Sequence, residues 1–198
     1  MNTSSSPRGW HSRGYLPHFD GGESLQFLTL RLADSVPDKV IEKWKTRIQF
    51  ESEDLAKELL MDRIDKYIDQ GFGECYLKQR AIAQLVQHSL QKFDGDRYDL
   101  FSWVIMPNHT HFILRPRVGW NLSSIIKSHK SYTGRMSNRH LDRSGRFWQE
   151  DYFDREIRDQ EDFFDKIQYI EMNPVKAKLC KNPQEWEFGS ANYESRFF

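Results

Sequence analysis

The sequence predicts an α+β fold: an antiparallel sheet with helices packed largely on one face. Three observations carry this expectation. Residues 24–33 (SLQFLTLRLA) alternate with the period of a strand. Residues 98–106 and 109–115 are two more strand-like runs, parted only by Pro107 and Asn108, a spacing that suits an antiparallel pair. Helix-period segments surround these runs without the regular strand–helix–strand rhythm of a parallel sheet.

The elements follow in chain order. In the first strand Leu25, Phe27, Thr29 and Arg31 share one side, while Leu28, Leu30 and Leu32 contribute to the other, so at least one face is buried. Pro37 breaks the chain, and Asp38 is placed to cap a helix beginning near Lys39. A longer charged helix is expected from about Ser52 to Gln70, stopped by Gly71 and Gly73. Lys78–Phe93 carries the clearest helical stripe, with Ile82, Leu85, Val86, Leu90 and Phe93 on one face. Tyr98–Met106 and His109–Arg115 then form a hairpin, unless Pro107 marks a bulge. Leu122–Arg139 reads as a helix with Leu122, Ile125, Ile126 and Met136 inward and its lysines and arginines outward. Ser144-Gly145 turns the chain into Phe147–Ile157, a strand or ribbon. Gln160–Met172 is the last helix, with Pro174 just past its end, and a loop-rich wrap begins at Lys181.

At 198 residues the chain suits one domain with a real core, and its 6 Trp, 8 Tyr and 14 Phe offset a modest 38% hydrophobic content. Residues 1–14 read as a flexible tail, 15–198 as one domain, and about 38–74 as a helical insertion within it. Cys75 and Cys180 make neither a disulfide framework nor a zinc-type pairing. No apolar run suits a membrane span and the Ser/Arg/Gly-rich start is no secretory signal, so a cytoplasmic location is expected. Net charge is zero, but residues 115–146 hold 8 basic residues against Asp142 alone. A phosphate-binding surface would come from this segment, although a solvated helix face explains such a run equally well.

Two patterns bear chemistry. In His109-Thr110-His111, positions i and i+2 of a strand put both imidazoles on one face, where they can share a metal ion. Bare His-x-His pairs also occur by chance, but two adjacent histidines in an apolar strand need a reason to be buried. In Tyr169-Ile170-Glu171-Met172-Asn173-Pro174, Tyr169 and Asn173 lie one helical turn apart. An amide oxygen there can complete a metal site while the phenol addresses a metal-bound substrate. The plainer alternative makes Tyr169 a core residue and Asn173 a helix cap.

Three runs together, Met106–Leu114 (MPNHTHFIL), Gly145–Arg155 (GRFWQEDYFDR) and Tyr169–Ala177 (YIEMNPVKA), closely resemble the REP-associated tyrosine transposases, single-tyrosine HUH transposases of bacterial insertion sequences. The resemblance extends from about Phe72 to Ala191. It implies the ferredoxin-like or RRM-like HUH nuclease fold. It also implies cleavage and transfer of single-stranded DNA, with the substrate an imperfect palindrome folded into a hairpin beside a short single-stranded tag. Carried onto this chain, His109 and His111 match the paired metal-binding histidines, with Mg²⁺ or Mn²⁺ as the ion. Tyr169 matches the nucleophile that forms a 5′-phosphotyrosine, and Asn173 the polar residue that helps to hold the metal. Where the family has a bulky apolar residue between the histidines this chain has Thr110, whose side chain is expected to point away from the metal face.

Lys127, Lys130, Arg135, Arg139, Arg143 and Arg146 are the candidates for DNA backbone contacts. Tyr132, in the same basic helix, is the competing nucleophile, but Met136 rather than Asn or Gln follows it at i+4. It reads as a core residue or a DNA contact. Two other functions compete: a domesticated hairpin-binding protein that no longer cuts, and a metal hydrolase in which water attacks. The chain is expected to act as a monomer or a homodimer.

Overall fold

The computed structural model describes residues 9–12, 17–20 and 22–193. Its main sheet has four strands, β3 (Gln26–Arg31), β4 (Tyr98–Ile105), β5 (His109–Pro116) and β6 (Phe153–Glu156), in the order β4-β5-β3-β6. Every pairing is antiparallel. Ahead of the sheet, β1 (Gly9–Ser12) and β2 (Pro17–Asp20) pair with each other. Part of the expected tail is therefore paired strand, and the rest of it lies outside the described residues.

β4 and β5 form the expected hairpin: Met106 N–H donates to the His109 carbonyl across Pro107-Asn108. The register irregularity falls elsewhere, between Leu100 and Ser102. β5 is central and sits between β4 and β3, so its side chains are buried except at Arg115. Its alternation assigns them: Phe112 and Leu114 join one apolar cluster and Ile113 another.

The first cluster packs α3 (Arg80–Gln91) and α4 (Leu122–His140) on the sheet through Ile82, Val86, Leu90, Ile125 and Ile126. The second packs α5 (Gln160–Lys176) on the opposite face through Phe163, Ile167 and Ile170. Each fully buried side chain of this size contributes about 1.5–3 kcal/mol. α1 (Asp38–Ile48) and α2 (Glu53–Ile68) pair around their own small core of Ile41, Leu60, Ile64 and Ile68, with Phe153 against it. No helix among the described residues is long and apolar enough to cross a membrane.

Three expectations are corrected. Pro37, not Asp38, occupies the N-cap of α1. Phe147–Ile157 is mostly irregular: only Phe153–Glu156 is strand, with one further bridge from Trp148 to Leu32. α5 does not stop before Pro174 but runs through it to Lys176. Proline lacks the N–H that would reach back one turn, yet the Ala177 N–H bonds the Asn173 carbonyl and holds the last turn.

Candidate active site

β5 carries His109 and His111 onto the face covered by α5, with ring centroids 4.6 Å apart. The strand's neighbours fix both rings. Thr29 of β3 stands opposite His111, and its Oγ1 lies 2.8 Å from His111 Nδ1. Asn108 Oδ1 lies 2.7 Å from His109 Nδ1. The Asn108 amide nitrogen donates to the carbonyls of Ile68 and Phe72, so its oxygen faces the imidazole and must accept. His109 therefore carries its proton on Nδ1 and leaves Nε2 as a lone pair.

Burial keeps both imidazoles neutral. His109 is pushed down to about 3, and His111 is driven well below the usual range by burial, then by His109 and Lys166. A neutral imidazole lone pair suits a metal ligand.

The Asn108 bonds also anchor the end of α2, where Asp69 is the C-cap. The segment after it crosses tightly: Gly73 has φ +90°, and a Cβ there would meet the Asp34 carbonyl oxygen at 3.0 Å. Asp69 Oδ1 comes to 3.7 Å from His109 Nε2. Because His109 is neutral, two lone-pair acceptors face each other, an arrangement that a cation satisfies. Ligand atoms of Asp69, His109 and His111 all lie within 4.8 Å of one another.

α5 brings the other pair. The Tyr169 ring lies 5.2 Å from the His111 ring and 5.9 Å from Phe27, which itself stacks on His111 at 5.5 Å. Burial raises the Tyr169 hydroxyl above its ordinary range, and Asp65, Asp69 and Asp62 raise it further. Asn173, one turn on and buried, donates a hydrogen bond to Asp69 that offsets the rise burial imposes on that carboxyl. Three buried atoms here have no hydrogen-bond partner: His109 Nε2, His111 Nε2 and Asn173 Oδ1. Unpartnered buried polar atoms cost about 1–3 kcal/mol each. Two imidazole nitrogens, an amide oxygen and a carboxylate fit a divalent cation with mixed nitrogen and oxygen preference.

The basic helix α4 lies on the other side of the sheet. Lys127, Lys130, Arg135 and Arg146 line a groove of about 790 Å³ with Ser123, Gln149 and Asp151. Lys130 donates to the Glu150 carbonyl, and Arg146 pairs with Glu150 at 3.1 Å. Arg139 and Arg143 are not in its lining. Arg139 lies in the last turn of α4, and the Arg143 guanidinium sits 4.8 Å from the Tyr76 ring centre. Tyr132 is 44% exposed and lines a separate cleft with Ser89, Lys92 and His129. It is thus neither core nor near the histidines.

The paired histidines of the central strand thus face a tyrosine on the helix that covers them. The family model described as "Transposase IS200 like" matches residues 75–173, half of the chain, and the chain belongs to that family. It is similar to the REP-associated tyrosine transposase of Escherichia coli (strain K12), 26% identical over 110 residues. That match spans 54% of this chain and 63% of the relative. A solved structure, the REP-associated tyrosine transposase bound to a REP hairpin, shares the fold at 20% identity and a TM-score of 0.55. It covers 92% of this chain and 82% of its own.

Sequence reasoning missed Asp69, Asn108 and Thr29. Asn108 stood inside the motif that carried the resemblance, next to His109. Asp69 lay in the segment taken for an insertion, and it also lies outside the residues the family model matches. Thr29 becomes visible only through strand register.

Proposed function

We propose that the chain is a metal-dependent single-stranded DNA endonuclease and strand transferase. It acts on palindromic, hairpin-forming DNA through a 5′-phosphotyrosine intermediate. One observation carries this reading: the Tyr169 ring lies against His111, beside three unpartnered buried ligand atoms. His109, His111, Asn173 and Asp69 would hold the ion, Mg²⁺ or Mn²⁺. When bound, such an ion supplies Lewis-acid polarisation of a phosphodiester.

The chain's own residues do the rest. Asn108 and Thr29 hold the imidazoles in register. Tyr169 is the nucleophile: its oxygen attacks phosphorus and the 3′ oxygen departs as a hydroxyl. A phenol, with pKa about 10 in water, is a better leaving group than an alkyl alcohol. The covalent link therefore keeps the strand ready for rejoining, which suits transfer more than hydrolysis. A monomer or a homodimer is the proposed acting form.

The hairpin substrate is supported by the family resemblance and by the REP hairpin bound to the related transposase. Lys127, Lys130, Arg135 and Arg146 are the proposed backbone contacts, because they share one groove. Arg139 and Arg143 remain outlying candidates beside it.

The test is incubation with single-stranded hairpin oligonucleotides and Mn²⁺, followed by a denaturing gel. The wild-type chain is expected to form a covalent protein–DNA adduct. Tyr169→Phe should lose adduct and cleavage while keeping its fold, since the ring still fills its space, and Tyr132→Phe should keep both. Cleavage without an adduct would instead identify a water-attacking hydrolase. Binding without cleavage would identify a hairpin-binding protein that no longer cuts.

A further inference from the structure

Two lysines of α5 stand over the Tyr169 ring: Lys166 Nζ lies 5.7 Å from its centre and Lys176 Nζ 5.3 Å. They sit three residues before and seven after the tyrosine, which at about 3.6 residues per turn is the same helix face. Lys176 reaches this position only because α5 continues through Pro174. Lys166 also covers Phe27, at 5.4 Å, the ring that stacks on His111. Neither lysine makes a side-chain ion pair among the described residues.

Tyr169 is partly buried against Phe27 and His111. Strand transfer brings negative charge here twice, on the phosphodiester and on the tyrosine oxygen as it attacks or leaves. We propose that Lys166 and Lys176 form a two-cation clamp that seats the scissile phosphodiester against Tyr169 and carries the phenolate charge when the tyrosine departs. This rests on the transferase reading above.

The bonds balance. In cleavage the Tyr169 Oη–P bond forms and the P–O3′ bond breaks; the phenol gives up a proton and the departing oxygen gains one. In rejoining a 3′-hydroxyl attacks, the Oη–P bond breaks, and the phenolate recovers a proton.

The test uses the full chain as Lys166→Gln, Lys176→Gln and Lys176→Arg, with a hairpin oligonucleotide and Mn²⁺. Adduct formation and rejoining are read in single turnover. Each Gln variant should slow both steps roughly 10²–10³-fold, the scale of removing one preorganised charge-stabilising group. Lys176→Arg should recover most of the rate. Placing difluorotyrosine, a more acidic phenol, at position 169 should shrink the Gln deficit, a change that a packing role would not produce. Wild-type rates in both Gln variants would overturn the clamp and leave the transferase standing. A deficit unmoved by difluorotyrosine and by arginine would also overturn it, as plain packing. A wild-type chain that forms no adduct would overturn the transferase reading and the clamp with it.

Discussion

The two faces of the sheet are built from the same strands to opposite standards. On the α3–α4 side Leu28, Leu30, Leu32, Phe112 and Leu114 are essentially closed to solvent and packed against apolar helix stripes. On the α5 side the alternate residues of those strands include Thr29, Arg31, His109 and His111, all buried. A buried polar atom without a partner is a standing cost, and His109 Nε2, His111 Nε2 and Asn173 Oδ1 are concentrated in one spot of this face. The apolar packing of the one face lets the other hold polar groups in fixed, unsatisfied positions. This is the pattern expected where local rules yield to function.

The sharpest break in the comparison should come from the histidines. His109→Ala or His111→Ala removes a proposed ligand from the polar face and should lower cleavage more than ~100-fold, beyond the loss that even outer-shell partners typically cause. Hairpin binding, assigned to the groove on the other side, should change little. A cleavage gel and a hairpin-binding titration read the two separately, and isothermal titration with Mn²⁺ reads the metal. Full cleavage by both single variants would remove the metal assignment.

Next is the groove. Lys127 and Arg135 are exposed, while Lys130 and Arg146 are partly engaged with Glu150. Lys127→Ala and Arg135→Ala should weaken binding and flatten its log–log salt dependence by about 0.7 for each lost contact on single-stranded DNA. Cleavage at saturating DNA should be preserved. An unchanged slope would return α4 to the solvated-face reading.

Much of this division was legible in the sequence, because period-two alternation in a strand assigns each side chain to a face. His109 and His111 had to share a side, and Tyr169 and Asn173 had to share a helix face. What the sequence did not reveal depends on contacts between distant segments. Asp69 reaches His109 only because Asn108 ties the end of α2 to the hairpin turn. Lys176 reaches Tyr169 only because tertiary packing carries a helix through a proline, against local propensity. The basic run was read as one surface, but Arg139 and Arg143 are not in the groove's lining, and Arg143 sits beside it against Arg146 and Tyr76.

Stability should differ between the faces as well. On the site flank Asp65 is pushed up to about 7, first by burial and then by Asp69. A carboxyl with a raised folded pKa supports the fold fully at pH below its unfolded value. That support fades as pH climbs from about 4 to about 7. Asp65→Asn should therefore be more stable than wild type above pH 7, by about 1–3 kcal/mol, and should show a flatter pH profile between those limits. Denaturant melts in EDTA without DNA measure this, and equal pH profiles for the two proteins would contradict it.

The smallest expected effect lies on the apolar face, between the two histidines. Thr110 is fully buried and pairs with Leu30 and Ile105, pointing to the side opposite the imidazoles. Its Oγ1 has no hydrogen-bond partner. A hydroxyl without a partner among apolar neighbours is a cost, and the resembling family has an apolar residue there. Thr110→Val keeps the branched shape, and it removes the unpartnered group. It should stabilise the chain by about 1 kcal/mol, a rise in Tm of about 2–4 °C for a chain of this size. Cleavage should stay within about twofold of wild type, because the methyl that replaces the hydroxyl faces away from the site. Lower stability would mean that the hydroxyl has a partner after all. A large change in cleavage would mean that the two faces are coupled through β5, and the separation drawn between them would fail.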